Sequence, residues 1–358
     1  MKLTTGTALG LALLTTTALA SGTANNKGHT RGAPVTQFQV TNLVSDQDGV
    51  AGTTDPDLVN AWGVAKGGPG NPIWISDNGT GKSTVYNASG AKDPLTVSIA
   101  NGEPTGVVFV KAAADGGTIF PVTEGSNTGS SIFIFATEGG QIEGWNPNVD
   151  QTNSIIAVDN SATGASYKGV GISNHAEQLF AANFAGNRVE VYDSNFAAVT
   201  TFTDRQLPKH FAPFNVMVSE NAVYVAFAQR AKNGDEVKGP GLGYIDVFRK
   251  DGHLKARLVA NGVLNAPWGM AIAPSTFGTF AGALLVGNFG DGKINAFNKD
   301  TGELIGTLSD SSGTPIAIDG LWGIDARPLG TITFAAGPDD EAHGLMGSIT
   351  PITETAQK

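Results

Sequence analysis

The chain has 358 residues, with 22 Lys plus Arg against 32 Asp plus Glu, a net charge of −10 and no Cys. That balance argues against nucleic-acid and anionic-membrane partners, whose recognition needs Lys/Arg stripes. The 48 Gly have no collagen period and mark a turn-dense protein, while 41% apolar residues suffice for a core.

In chain order, Lys2, the apolar stretch Leu9 to Leu14 and the closing Ala18-Leu19-Ala20 predict a signal peptide over 1–20. The apolar run is too short for a membrane span, and no later stretch approaches the length needed. Residues 21–35 are small and polar and are expected to be a disordered linker. The expected location is secreted or extracellular, or periplasmic in a Gram-negative host. An exported chain without Cys must be held by burial and strand pairing, which favours one large core. That core is expected over 36–352, with 353–358 as a polar tail.

Phe38 to Val44 alternates like a strand with no obvious neighbour. From there on, six segments repeat one pattern. They are Trp62-Gly63-Val64, Thr105-Gly106-Val107, Lys168-Gly169-Val170, Phe214-Asn215-Val216, Trp268-Gly269-Met270 and Trp322-Gly323-Ile324. Their anchors are spaced by 43, 63, 46, 54 and 54 residues. Each is followed by short alternating runs such as Ile73-Trp74-Ile75 and Thr84-Val85-Tyr86, bounded by Gly, Asn or Asp turns. A period of this size with about four strands per unit predicts an all-β, six-bladed β-propeller. The last unit runs short of a strand near Ile352, so residues 37–44 are predicted to supply its outermost strand and close the ring.

With these residues in hand, the chain resembles the six-bladed NHL and gluconolactonase-like propellers. The segment Gly186-Asn187-Arg188-Val189-Glu190-Val191-Tyr192-Asp193 is close to the NHL strand pattern. Asp55 to Gly63, Val286 to Gly292, Asp319 to Gly323 and Ala336 to Glu341 resemble an exported propeller family known mainly as conserved hypothetical proteins. Some of its members end in a PEP-CTERM sorting tail, and no such tail is expected for this chain. The resemblance spans roughly 36–351 and implies the fold but no catalytic residues. In gluconolactonase-like propellers, acidic or amide side chains just before the anchor Gly hold a divalent metal. Here those positions are Trp62, Thr105, Lys168, Phe214, Trp268 and Trp322, so no metal and no cofactor are expected.

Two readings of the phase-matched aromatics stay open. They pack as core, or they line a channel mouth for a sugar face, a cation or an extended apolar ligand. Residues ending the second strands, including Asp77, Glu138, Asn183 and Asn288, should ring the same mouth, with His210 and His343 in nearby loops. Asp and Asn there also suit plain turns. His343, with Asp340 and Glu341 close in sequence, is the candidate acid/base, Glu341 being its catalytic partner. Asn78 to Thr84 mimics a phosphate-binding loop, but Ser76 stands where its first Gly belongs and a strand follows.

The function expected from the sequence is binding of a small molecule or glycan at an aromatic-lined mouth formed by Trp62, Lys168, Phe214, Trp268, Trp322, Asp77, Asn183, Asn288 and His210. The alternatives are an enzyme in the same pocket, either a hydrolase or lyase using His343 or a substrate-folding cyclase, and a protein-interaction platform.

Overall fold

The computed structural model describes residues 36–352 apart from 69, 221 and 328–329; the expected signal peptide, linker and tail lie outside the described residues. Short strands, each ended by a tight turn, pair mainly with their sequence neighbours. They form six antiparallel sheets of the predicted propeller. Blade 1 runs outward from the axis as Ala61–Lys66, Ile73–Asp77, Lys82–Tyr86 and Lys92–Ser98. Blade 2 is Pro104–Phe109, Phe133–Thr137, Gln141–Trp145 and Ile155–Asp159, and blade 3 is Tyr167–Ile172, Gln178–Asn183, Arg188–Asp193 and Ala198–Phe202. Blade 4 is Phe211–Ser219, Ala222–Gln229, Tyr244–Phe248 and Leu254–Ala260, and blade 5 is Pro267–Ile272, Leu284–Asn288, Ile294–Phe297 and Leu304–Thr307.

Blade 6 takes Leu321–Arg327, Thr331–Ala336 and Leu345–Pro351 from the end of the chain and Phe38–Ser45 from its beginning. The joining pair is antiparallel, with Phe38 opposite Pro351 and Val40 opposite Ile349. The ring is therefore closed as predicted, by strand hydrogen bonds between distant parts of the chain. The 63-residue gap between the second and third anchors also has a cause. A hairpin, Pro121–Glu124 with Asn127–Ser130, is inserted between the first two strands of blade 2.

Adjacent blades pack face to face through six apolar layers, one for each junction. A seventh cluster lies on the axis and contains Trp62, Phe184, Phe214, Trp268, Phe289 and Trp322 among others. The anchors explain both features. In every blade the ladder between inner and second strands slips at the anchor, as between Ala61 and Val64 or Pro267 and Met270. A bulge of this kind re-aims a side chain out of the pleat; here it accompanies the turn of Trp62, Phe214, Trp268 and Trp322 into the axial cluster, while Thr105 bonds Ala136 O and Tyr167 O instead. The anchor itself faces the next blade. A Cβ on Gly63 would stand 2.6 Å from Thr105 O and 2.7 Å from Val107 N, and one on Gly269 would stand 2.6 Å from Trp322 O. Backbone of the next blade leaves no room for a side chain at these two anchors. Asn215 is the exception, and its Nδ2 donates across the same junction to Trp268 O at 2.9 Å.

A second phase-matched set runs through the third strands. Thr84, Glu143, Glu190, Asp246 and Asn295 occupy the same register and are all buried. Glu143 accepts the Ala100 N–H from the exit of blade 1 at 2.9 Å and the Ser154 hydroxyl at 2.5 Å. Glu190 accepts from the Tyr167 and Tyr192 hydroxyls, Asn183 Nδ2 and Arg188 Nε. Burial pushes the Glu143 carboxyl up to about 7, and burial together with neighbouring Asp204 does the same to Asp246.

Candidate functional site

The antiparallel ladders place the start of each inner strand beside the end of its second strand. Ala61 faces Asp77, Tyr167 faces Asn183, and Pro267 faces Asn288. One face of the ring therefore collects both sets of ends, as the topology predicts. What they present there differs from the sequence expectation.

Trp62, Trp268, Trp322 and Phe214 do converge on the axis, but none is more than 3% exposed. Trp62 and Trp322 stack with centroids 3.4 Å apart, Phe289 stacks on Trp322 at 3.8 Å, and Trp268 meets Trp62 and Trp322 edge-on. Large flat rings gain more by covering one another than by facing water, so they form a solid plug, not a lined mouth. On its far side the inner strands surround a cavity of about 180 Å³, lined by Val64, Val107, Val170, Val216, Met270 and Ile324 among others.

A polar network lies over the near side of the plug. Asn60 Oδ1 accepts from Trp322 Nε1 at 3.2 Å, while Asn60 Nδ2 donates to Glu341 Oε2 at 2.8 Å and to Asn78 Oδ1 at 3.2 Å. Asn78 Nδ2 donates to Glu138 Oε2 at 3.0 Å, and the other oxygen of Glu138 accepts from Lys168 Nζ. Lys168 also lies 3.7 Å from Glu236 Oε2, with its ammonium 5.1 Å from the centroid of Trp62. Glu236 comes from the 230–243 connection of blade 4, which also carries Lys238 over the ring of Phe289 at 4.3 Å. Every blade thus contributes: Asn60 and Asn78, then Glu138, Lys168, Glu236 with Lys238, Phe289 and Glu341.

The electrostatics follow from burial. Lys168 is only 8% exposed. Burial alone would lower its pKa, but Glu138 and Glu236 outweigh that and hold the ammonium above its ordinary value. Burial raises Glu236 and Glu341, with Lys168 pulling both back in part. Glu341 also sits in a strained turn, because Asp339, Asp340 and Glu341 are consecutive left-handed residues with φ of 56°, 50° and 70°. Such a run is costly for L-residues and is held only where its surroundings determine it. Here it brings the Glu341 carboxylate onto Asn60.

Of the predicted site residues, Lys168 and Glu341 belong to this network. Asp77, Asn183 and Asn288 are fully buried and bonded locally. Asp77 accepts the Thr84 N–H, Asn183 the Gly186 N–H, and Asn288 the Asn265 N–H. They stitch turns and strands, and their side chains do not reach open space. His343 is not paired with Glu341; its Nδ1 lies 2.8 Å from Asp46 Oδ2, a carboxylate contributed by the chain after the closing strand. His210 lines a separate cleft of about 600 Å³ with Gln229, Arg230 and Lys232. Among the described residues, no group of three or more His, Cys, Asp or Glu is arranged to hold a metal ion, and no helix is long and apolar enough to cross a membrane.

Asn60, Asn78, Glu236, Lys238 and Phe289 were not expected from the sequence. Asn60 could have been found from its place two residues before a tryptophan of the repeat. Glu236 and Lys238 lie in a connection with no counterpart in the other blades, so no phase argument reaches them.

No family model matches the chain. It is 33% identical over 330 residues to an uncharacterised protein of Acanthamoeba polyphaga mimivirus, covering 88% of this chain and 80% of that one. A second uncharacterised protein of the same virus is 33% identical over 332 residues, covering 88% and 86%. Among solved structures, a streptogramin B lyase superposes with a TM-score of 0.52 at 10% identity, covering 88% of this chain and 98% of that one. At that identity the likeness is one of fold.

Proposed function

The chain belongs to one family with these two mimivirus proteins, and from that premise we propose that it is a binding propeller whose ligand is a small polar molecule seated on the Lys168–Glu network. The observation that carries this reading is convergence. Six blades place polar or aromatic groups at one mouth, with a nearly buried ammonium and two carboxyls held above their ordinary pKa. Burying charge is expensive, and a cluster of perturbed titratable groups is a mark of a functional site. The ligand makes its contacts through hydrogen bonds to Glu138, Asn78 and Glu341, with the aromatic plug beneath as a rigid floor. A glycan fits this reading through its hydroxyls, not through stacking on the buried tryptophans.

The test is a ligand-observed NMR screen of polar small molecules and short oligosaccharides against the wild type, Glu138→Gln and Glu341→Gln. Either substitution is expected to weaken binding at least about tenfold, the cost of losing a hydrogen bond to a charged group. Binding untouched by both, or no saturable binding at all, overturns the reading.

A second reading, an enzyme that moves a proton on the bound molecule, is favoured by the raised pKa and strained backbone of Glu341. It requires turnover that is lost in Glu341→Gln and retained in His343→Ala. We also propose export with cleavage after Ala20, which N-terminal sequencing of the mature protein would test.

A further inference from the structure

The two ammonium groups at the mouth both rest on aromatic faces, and those faces are the two ends of one stack. Lys168 lies over Trp62, Trp62 stacks on Trp322, Trp322 on Phe289, and Lys238 lies over Phe289. The two lysines are held very differently. Lys168 is nearly buried between Glu138 and Glu236. The Lys238 side chain is 43% exposed, and its ion pair, 3.6 Å long, is to a fully exposed carboxylate, Asp340. Pairs of that kind hold weakly.

The backbone on either side of Lys238 is fixed. The Val237 N–H donates to Gln229 O at 2.7 Å, and the Gly239 N–H donates to Asn265 Oδ1 at 2.6 Å. The side chain can therefore swing into solvent while its loop stays in place. Its departure uncovers the spot on Phe289 that its ammonium occupied. Phe289 is otherwise 2% exposed, so that spot has the size of one small cationic head. Departure also leaves Lys168 alone against Glu138, Glu236 and Glu341, with Asp340 at the rim. An aromatic face edged by carboxylates is the chemistry that recognises an ammonium ion. An entering cation restores the charge that Lys238 withdrew, whereas a neutral or anionic molecule does not.

We propose that Lys238 holds the place of a ligand's cationic head, and that the molecule bound at this mouth is an organic cation of the alkylammonium or quaternary ammonium class. This rests on the reading of the mouth as a binding site and adds the charge of its ligand.

The probe pair is choline and its neutral carbon isostere, 3,3-dimethylbutan-1-ol, titrated at constant ionic strength and followed by tryptophan fluorescence and NMR. Wild type is expected to bind choline at least about tenfold more tightly than the isostere. Lys238→Ala, a substitution at a half-exposed residue, should bind choline about fivefold more tightly than wild type, because the internal competitor is gone. Equal binding of the two probes, or weaker choline binding by Lys238→Ala, overturns the proposal. If a neutral probe binds and Glu138→Gln weakens it, the mouth remains a binding site and the cation assignment alone falls. If no probe binds, both fall.

Discussion

At the scale of single residues, the anchor glycines carry the architecture. Their requirement is steric, since a Cβ on Gly63 meets backbone atoms of blade 2 that cannot move aside. Gly63→Ala is therefore expected to cost about 1–3 kcal/mol, the range for overpacking a well-packed site, read as a lower midpoint in chemical denaturation. A midpoint unchanged from wild type would show that the blades are not in contact at this point. These glycines were legible in the sequence because each junction imposes the same demand, so the residue recurs. The bulge that turns Trp62 or Lys168 inward was not legible, because it is a property of register between two strands. Nor was the closed packing of the tryptophans. Equal phase shows that side chains meet on an axis, and only their volumes decide whether they leave a gap or fill it.

At the scale of elements, the strand Phe38–Ser45 determines whether the ring stays shut. Phe38 is 1% exposed and packs on Phe277 and Phe280 with centroids 4.6 and 5.9 Å away. Phe38→Ala should destabilise the fold by about 3–5 kcal/mol, as buried aromatics do. Hydrogen exchange should rise first in Phe38–Ser45 and in its partner Leu345–Pro351. A rise spread evenly over all blades would argue against closure as the weak seam. This strand was readable as a strand, and counting the strands of the last repeat gave its place. The 230–243 connection shows the opposite case. Its backbone is set by bonds to Gln229 and Asn265, residues that no periodicity links to Glu236 or Lys238. The mouth's chemistry is built largely from such non-repeating pieces, which is why the fold was easier to read than the site.

At the scale of the whole molecule, buried carboxyls should govern stability against pH. Glu143 and Asp246 are raised to about 7, and Asp77, Glu236 and Glu341 are raised as well. A raised carboxyl favours the fold while protonated. Its contribution is intact below the unfolded-state pKa and is lost as pH climbs to the folded value. Asp57, Glu190 and Asp204 are lowered and act in the other direction, losing their contribution as pH falls through the folded values. The melting temperature should therefore peak at about pH 4 and fall toward pH 8. Glu143→Gln should remove about 3 kcal/mol of that fall. A melting temperature that stays flat or rises from pH 5 to 8 would refute the assignment. The axial stack of rings has one further consequence. It makes the ring a partition with two separate openings instead of a tunnel, and a molecule entering the far cavity must leave by the way it came. Only substitutions in the shared plug, such as at Trp268, which borders the far cavity and bonds the Lys168 carbonyl, would be felt on both faces.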